Sequence, residues 1–363
     1  MSLRGGAWTM LAGLIGALLL LWAPPGSGRE PQTSQESRSA NGRIVMLTNS
    51  QRRDDGGFES IFRNMAAEYE ALYGLKIVNR SPKASTPAAL KALLQDVLKA
   101  GYGHIIFLGS GYPLDPALYA AHPDRRFYFI SMQAPDLPNA AGYHISLAEP
   151  AFLAGALAAR KSETGHVAFL GGRRLPVIHT LFCAFASGAR YVAPDIQVDV
   201  SVLGTFNDRA LAYRGAQALL ARGADVILHG TGAGGPAVFR AAREQGGYAI
   251  GVDENQNGEA PGTVLASVVK KTEVLLFSLL DDIRNDRFSG GMHVFTIRDG
   301  SAALVFDQHS SISVPEDMEA AIVDLEFEVR AGLIPRHALR PPNCALPAED
   351  GPVALGSGVL DAR

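Results

Sequence analysis

Residues 229–254, HGTGAGGPAVFRAAREQGGYAIGVDE, set Gly230, Gly232 and Gly235 at the spacing of a dinucleotide cradle and end an apolar run on Asp253. Glycines at such a crossover permit a tight turn and close backbone approach, and an acid after the next strand is the group that dinucleotide sites place on a ribose diol. The flanking residues fit: ADVIL (224–228) reads as a buried strand, Pro236 pre-sets a helix start, AVFRAARE carries the helix and YAIGV the following strand. The same pattern serves any strand-turn-helix unit, because its crossover needs glycine and its strand often ends on a polar residue. The glycines alone therefore leave NAD, another ligand and a purely structural turn open.

The elements that would position these residues alternate along the chain. RIVMLTN (43–49) reads as a strand, GFESIFRNMAAEYEALYG (57–74) as an amphipathic helix, LKIVNR (75–80) as a strand, and TPAALKALLQDVLKAG (86–101) as a helix capped by Thr86 with Pro87 in its first turn. HIIFLG (104–109) and FYFIS (127–131) are strands; a polar stretch follows. A second series opens with EPAFLAGALAARK (149–161) and continues through HVAFLGG, a helix from Pro176 to Tyr191, IQVDVSVLG, a helix from Asp208 to Ala221, and the glycine unit. TVLASVV, a helix from Thr272 to Asp286, strand-like MHVFTI and ALVFD, and a helix from Pro315 to Gly332 complete it. Such alternation predicts an α/β fold of two doubly wound parallel-sheet lobes joined by a hinge. The expected lobes are 43–145 plus about 265–335, and 146–264, with an irregular tail at 336–363.

The N-terminus bears on compartment. Arg4, the apolar Ala7–Trp22 and APPGSG have the layout of an export signal over residues 1–28, followed by a polar leader at 29–42. Neither cysteine lies near the expected cleavage region, so lipid attachment there is excluded and a periplasmic location is expected. The 363-residue chain is 47% hydrophobic with a net charge of −3, long enough for two ordinary cores and without the basic field a nucleic-acid partner requires. Cys183 and Cys344 are the only thiols; an oxidising compartment permits a bridge, although Cys183 lies in an apolar helical pattern where a buried free thiol is the simpler reading.

Ligands in doubly wound sheets sit beyond the carboxyl ends of the strands. Here those ends carry Asn49 and Ser50, Gly109–Gly111, Ser131, Gly171 and Gly172, Phe206 and Asn207, Gly230–Gly235 and Asp253, with Phe58 and Phe206 as candidate stacking rings. Small, polar and aromatic groups in this mixture suit a sugar joined to a ring.

Several of these segments resemble the basic membrane protein type of substrate-binding proteins, the nucleoside receptors of ABC transporters. DDGGF (54–58), EPAFLAGALAA, VAFLGGRRLPVIHTLFCAFASGA, GTFND (204–208), GTGAGG, GVDENQ and SVVKK (267–271) carry the similarity in order, from residue 43 to about 332. The resemblance implies a periplasmic binding protein-like fold of type I, a nucleoside of purine type as ligand, no cofactor, an ABC permease as partner and a monomer. It implies that Phe58 and Phe206 sandwich the base, at about 1–3 kcal/mol per ring. Asp253 would accept from ribose hydroxyls and Lys270 would donate to ribose oxygens while balancing that carboxylate. Gly230 and Gly232 would shape the pocket.

The chain departs from the family pattern at three positions. Asn49 stands where an acid usually follows the first strand, Ser131 or Met132 where an acid follows the fourth, and Glu59 where Asn follows the first aromatic. Asp55 and Glu59 have a second reading as cap and first-turn acid of the helix beginning near Gly57. Ribose capture is thus expected, while a purine, a pyrimidine or another heterocycle with a diol fits the base positions. The rival functions are an NAD-dependent dehydrogenase on the glycine turn, an exported nucleoside hydrolase, which needs clustered acids that the strand ends lack, and a sensory ligand-binding protein.

Overall fold

The computed structural model describes residues 42–48, 58–109, 111–346 and 356–357. The expected export signal, nearly all of the leader, Asn49 and Asp55 lie outside the described residues, as do the side chains of Phe58 and Glu59.

Buried runs such as IVML and HVAFLG, apolar on both faces, are what a sheet covered by helices on two sides demands, and two such sheets form. The first carries, in order, β2 (Ile77–Arg80), β1 (Ile44–Leu47), β3 (His104–Leu108), β4 (Arg126–Ile130), β5 (Ala140–Ile145) and β11 (Gly291–Phe295), all parallel. The second carries β7 (Gln197–Val202), β6 (His166–Gly171), β8 (Val226–Gly230), β9 (Tyr248–Asp253) and β10 (Val264–Lys270), again parallel. Its edges are antiparallel: β12 (Ala302–Val305) on β10 and β13 (Gly356–Ser357) on β7. Each sheet follows the order second, first, third, fourth, fifth, so each has a switch point beside its first strand.

The connecting helices are α1 (Phe58–Tyr73), α2 (Pro87–Lys99), α3 (Pro116–Ala120), α4 (Ala148–Lys161), α5 (Pro176–Val192), α6 (Arg209–Ala221), α7 (Gly235–Glu244), α8 (Thr272–Arg284), α9 (Glu316–Ala331) and α10 (Arg336–Leu339). Thr86 caps α2 by accepting from the Ala89 N–H, and Asp208 caps α6 through the Leu211 N–H. Among the described residues no helix is long and apolar enough to cross a membrane.

Helices α4 and α5 approach until backbone meets backbone. A Cβ at Gly155 would stand 1.9 Å from the Phe185 carbonyl oxygen, and one at Gly188 would stand 1.8 Å from that of Phe152. The FLAG and FASGA stretches are therefore packing motifs.

Three segments cross between the sheets: 146–147 after β5, Lys271 after β10, and 296–301 between β11 and β12. They are knitted together, since Glu149 Oε2 accepts from the Ile297 N–H at 3.0 Å, Ser146 N–H donates to Phe295 O at 2.8 Å and Lys271 N–H donates to Ser301 O at 2.7 Å. The return to the first sheet, expected near residue 265, comes later: β10 pairs with β9, and after visiting the first sheet as β11 the chain comes back to the second as β12. TVLASVV is apolar enough for either sheet, and only its pairing decides. The polar stretch after β4 contains β5; its AAGYHI is Ala- and Gly-rich, and the Met292 side chain fills the place of a Cβ at Gly142, 2.3 Å away. Cys183 and Cys344 are bridged, with 5.8 Å between their Cα atoms, so the free-thiol reading is corrected; a separation of 161 residues gave sequence patterning no purchase on that contact.

Candidate functional site

At the switch point of the second sheet the ends of β6 and β8 lie side by side, with the Gly172 N–H donating to Gly230 O at 2.8 Å. Above them lies the Phe206 ring. An ideal Cβ on Gly172 would be 2.2 Å from Phe206 Cδ1, and one on Gly232 would be 3.3 Å from Phe206 Cβ. Gly232 also has φ +57°, a left-handed value that side-chain-bearing residues rarely adopt. The glycine turn is thus the seat of an aromatic ring. Gly230, Gly232 and Phe206 form one group, and Gly172 joins them. Phe206 is half-buried, in the loop before α6.

The second group stands on the next two strands along the same carboxyl edge. Asp253 ends β9 and Lys270 ends the neighbouring β10, and Lys270 Nζ lies 2.5 Å from Asp253 Oδ1. The Asp253 side chain is 51% exposed and that of Lys270 is 30% exposed, so the pair contributes only about 0–1 kcal/mol to folding. Asp253 nevertheless holds φ +78°, a conformation that costs a non-glycine residue about 1–3 kcal/mol. A strained carboxylate kept accessible beside an ammonium suits a ligand with hydroxyl donors better than it suits stability.

What holds that turn is a buried polar network. Gln256 Oε1 accepts from the Val252 N–H at 3.0 Å and meets His229 Nε2 at 2.9 Å; the Gln256 N–H donates to Ser267 Oγ at 3.0 Å. The Thr231 N–H points at His229 Nδ1, so Nδ1 accepts and Nε2 carries the proton given to Gln256. Burial pushes the His229 pKa down, against opposing effects of the Gln256 bond and of Asp253, and the ring is neutral at pH 7.

On the first sheet, Ser131 follows β4 with φ +57°, exposed, its N–H donating to Tyr143 O at 2.7 Å. His144 on β5 has a lowered pKa, through burial first and then through the positive charges of Lys270 and Arg340. Lys270 of the second sheet therefore acts on a side chain of the first. His144 and the His229–Gln256 pair are not marked by the strand-end pattern of the sequence, and Gly172 is marked only as one strand-end glycine among several. A histidine inside the apolar VILHG was a visible signal for the pair.

Residues 43–326 match the profile of Bmp, described as ABC transporter substrate-binding protein PnrA-like. The chain belongs to the Bmp family. Among its relatives, Basic membrane protein D of Borreliella burgdorferi is 27% identical over 289 residues, 76% of this chain and 83% of that protein. The ABC transporter nucleoside-binding protein BmpA of Lactococcus lactis is 28% identical over 230 residues, 58% of this chain and 66% of that one. In fold, the chain is similar to an ABC transporter solute-binding protein of Aeropyrum pernix, with TM-score 0.66, 19% identity, and 85% and 94% of the two chains covered. The Bmp-family chain is accordingly a substrate-binding protein of an ABC transporter, which binds a small molecule and engages a membrane permease.

Proposed function

We propose that this Bmp-family protein binds a nucleoside of purine type between its two lobes, in the periplasm, and presents it to the permease. The observation that carries the reading is the pairing, on one sheet edge, of a glycine-seated ring with an accessible Asp253–Lys270 pair. Phe206 stacks on the base, and Asp253 accepts from the ribose hydroxyls with Lys270 donating beside it. The first lobe contributes Asn49, Asp55, Phe58, Glu59 and Ser131, with Phe58 as the facing ring. Closure of the lobes about the crossings then gives the permease a loaded shape to recognise. The Lactococcus relative's description as nucleoside-binding supports the ligand class.

The dehydrogenase reading loses its footing at the glycines, because Phe206 lies against Gly172 and Gly232 where a pyrophosphate would need open backbone. Calorimetric titration with adenosine, cytidine and NAD, alongside mass spectrometry of small molecules carried through purification, tests the proposal. Micromolar or tighter nucleoside binding with no NAD binding is expected; NAD binding without nucleoside binding overturns it. A sensory role would leave binding intact but show no permease and ATPase encoded beside the gene.

A further inference from the structure

A cavity of about 580 Å³ opens where the outer strand β11 meets the segment leading from α10 to the disulfide. Its size falls in the range of small-molecule sites, about 300–1,000 Å³. The apolar part of its wall is Ala148, Val294, Leu339 and Pro342, and Val294 is 54% exposed although it sits in a strand. The polar part is dominated by Arg336 and Arg340. Both are exposed, and neither guanidinium has a hydrogen-bond or ion-pair partner among the described residues. The one carboxylate in the wall, Glu149, is already committed to the Ile297 N–H.

The walls are also held in place. Cys344 is bridged to Cys183 of α5, the Cys344 carbonyl lies 2.9 Å from His179 Nε2, and Ser187 Oγ donates to the Ala338 carbonyl. A hollow whose two forks are unspent and whose wall is pinned to a buried helix is organised before anything enters it, which lowers the ordering cost of binding.

We propose that this cavity is a second ligand site, taking a small organic monoanion whose apolar body lies on Val294, Ala148, Leu339 and Pro342 and whose carboxylate is bound by Arg336 and Arg340. Arginine suits the role because its planar fork meets a carboxylate through two parallel hydrogen bonds. The site is independent of the nucleoside reading.

The test uses the full chain, 1-naphthoate and its neutral counterpart 1-naphthalenemethanol, read by calorimetry or ligand-observed NMR. Naphthoate is expected to bind at least tenfold more tightly than the alcohol. The R336A/R340A double variant should lose at least tenfold of naphthoate affinity with an unchanged thermal midpoint, and Asp253→Ala should leave it intact. Val294→Asp, which sets a carboxylate into the apolar wall, should expel naphthoate with both arginines present. Equal binding of acid and alcohol, no naphthoate binding, undiminished binding in R336A/R340A, or loss of binding in Asp253→Ala each overturns the proposal. So does a concentration-dependent dimer abolished by R336A/R340A, which would give the groove to a second copy.

Discussion

Two pairs of glycines make room for close neighbours here, and the neighbours differ in kind. Gly155 and Gly188 face backbone: each lies under 2 Å, as a notional Cβ, from a carbonyl oxygen of the opposing helix. Gly172 faces the Phe206 ring, which can rotate about its own bonds, and Gly232 lies beside the Cβ of the same residue. Backbone in a packed helix pair has nowhere to go, whereas a half-buried ring on a loop can swing away. The first pair therefore belongs to the frame and the second to the adjustable surface that the frame presents.

The largest effect is expected at the frame. Gly155→Ala should destabilise the protein by about 3 kcal/mol or more, as overpacking against an immovable neighbour does, and denaturant unfolding would register it. A loss below about 1 kcal/mol would mean that α4 and α5 can separate, and the distinction between the pairs would fail. The frame can also be loosened without touching a glycine. His104 has its pKa pushed down to about 4, chiefly by burial, so the unfolded chain takes up a proton near pH 6.5 that the native state refuses. Its contribution is full above pH 6.5 and is lost as pH falls towards 4, roughly 2 kcal/mol by pH 5, with His144 and His229 shifted in the same direction. A flat unfolding midpoint between pH 7 and 5 would contradict that burial.

At the surface the losses should appear in binding. Asp253→Ala is expected to weaken nucleoside binding more than tenfold, since ribose donors would lose their acceptor in a closing cleft, while relief of its φ +78° conformation is not gained because Ala suffers the same strain. Unchanged affinity by calorimetry would remove Asp253 from the site. Gly172→Ala sharpens the comparison most directly: the methyl should displace the Phe206 ring and weaken binding several-fold, with the unfolding midpoint almost unmoved. A large stability loss there would show that the ring is frame after all.

Much of the frame was legible in the sequence because buried parallel strands and capped amphipathic helices leave local marks, as in IVML or in Thr86-Pro87 before α2. What escaped was settled by distant partners. AAGYHI reads as a strand only once Met292 is known to fill the space over Gly142, and TVLASVV takes its sheet from β9. The bridge between Cys183 and Cys344 depends on how the tail returns to α5. At the site, Asp253 was reachable through its place at a strand end and Lys270 through the family resemblance of SVVKK, and the structure joins them. Gly172 was one strand-end glycine among several until Phe206 was seen to rest on it, because a seat is a property of two loops and neither loop encodes it alone.

The order of crossings has a bearing on how the chain comes to be made. The outer edge of β5, residues 140–145, is completed by β11, residues 291–295, and between them lies most of the second sheet. While the polypeptide is being synthesised, the N-terminal part must wait with an open flank of unpaired amides until nearly 150 further residues have followed, so a product truncated before residue 291 would carry a sticky border and be prone to clump.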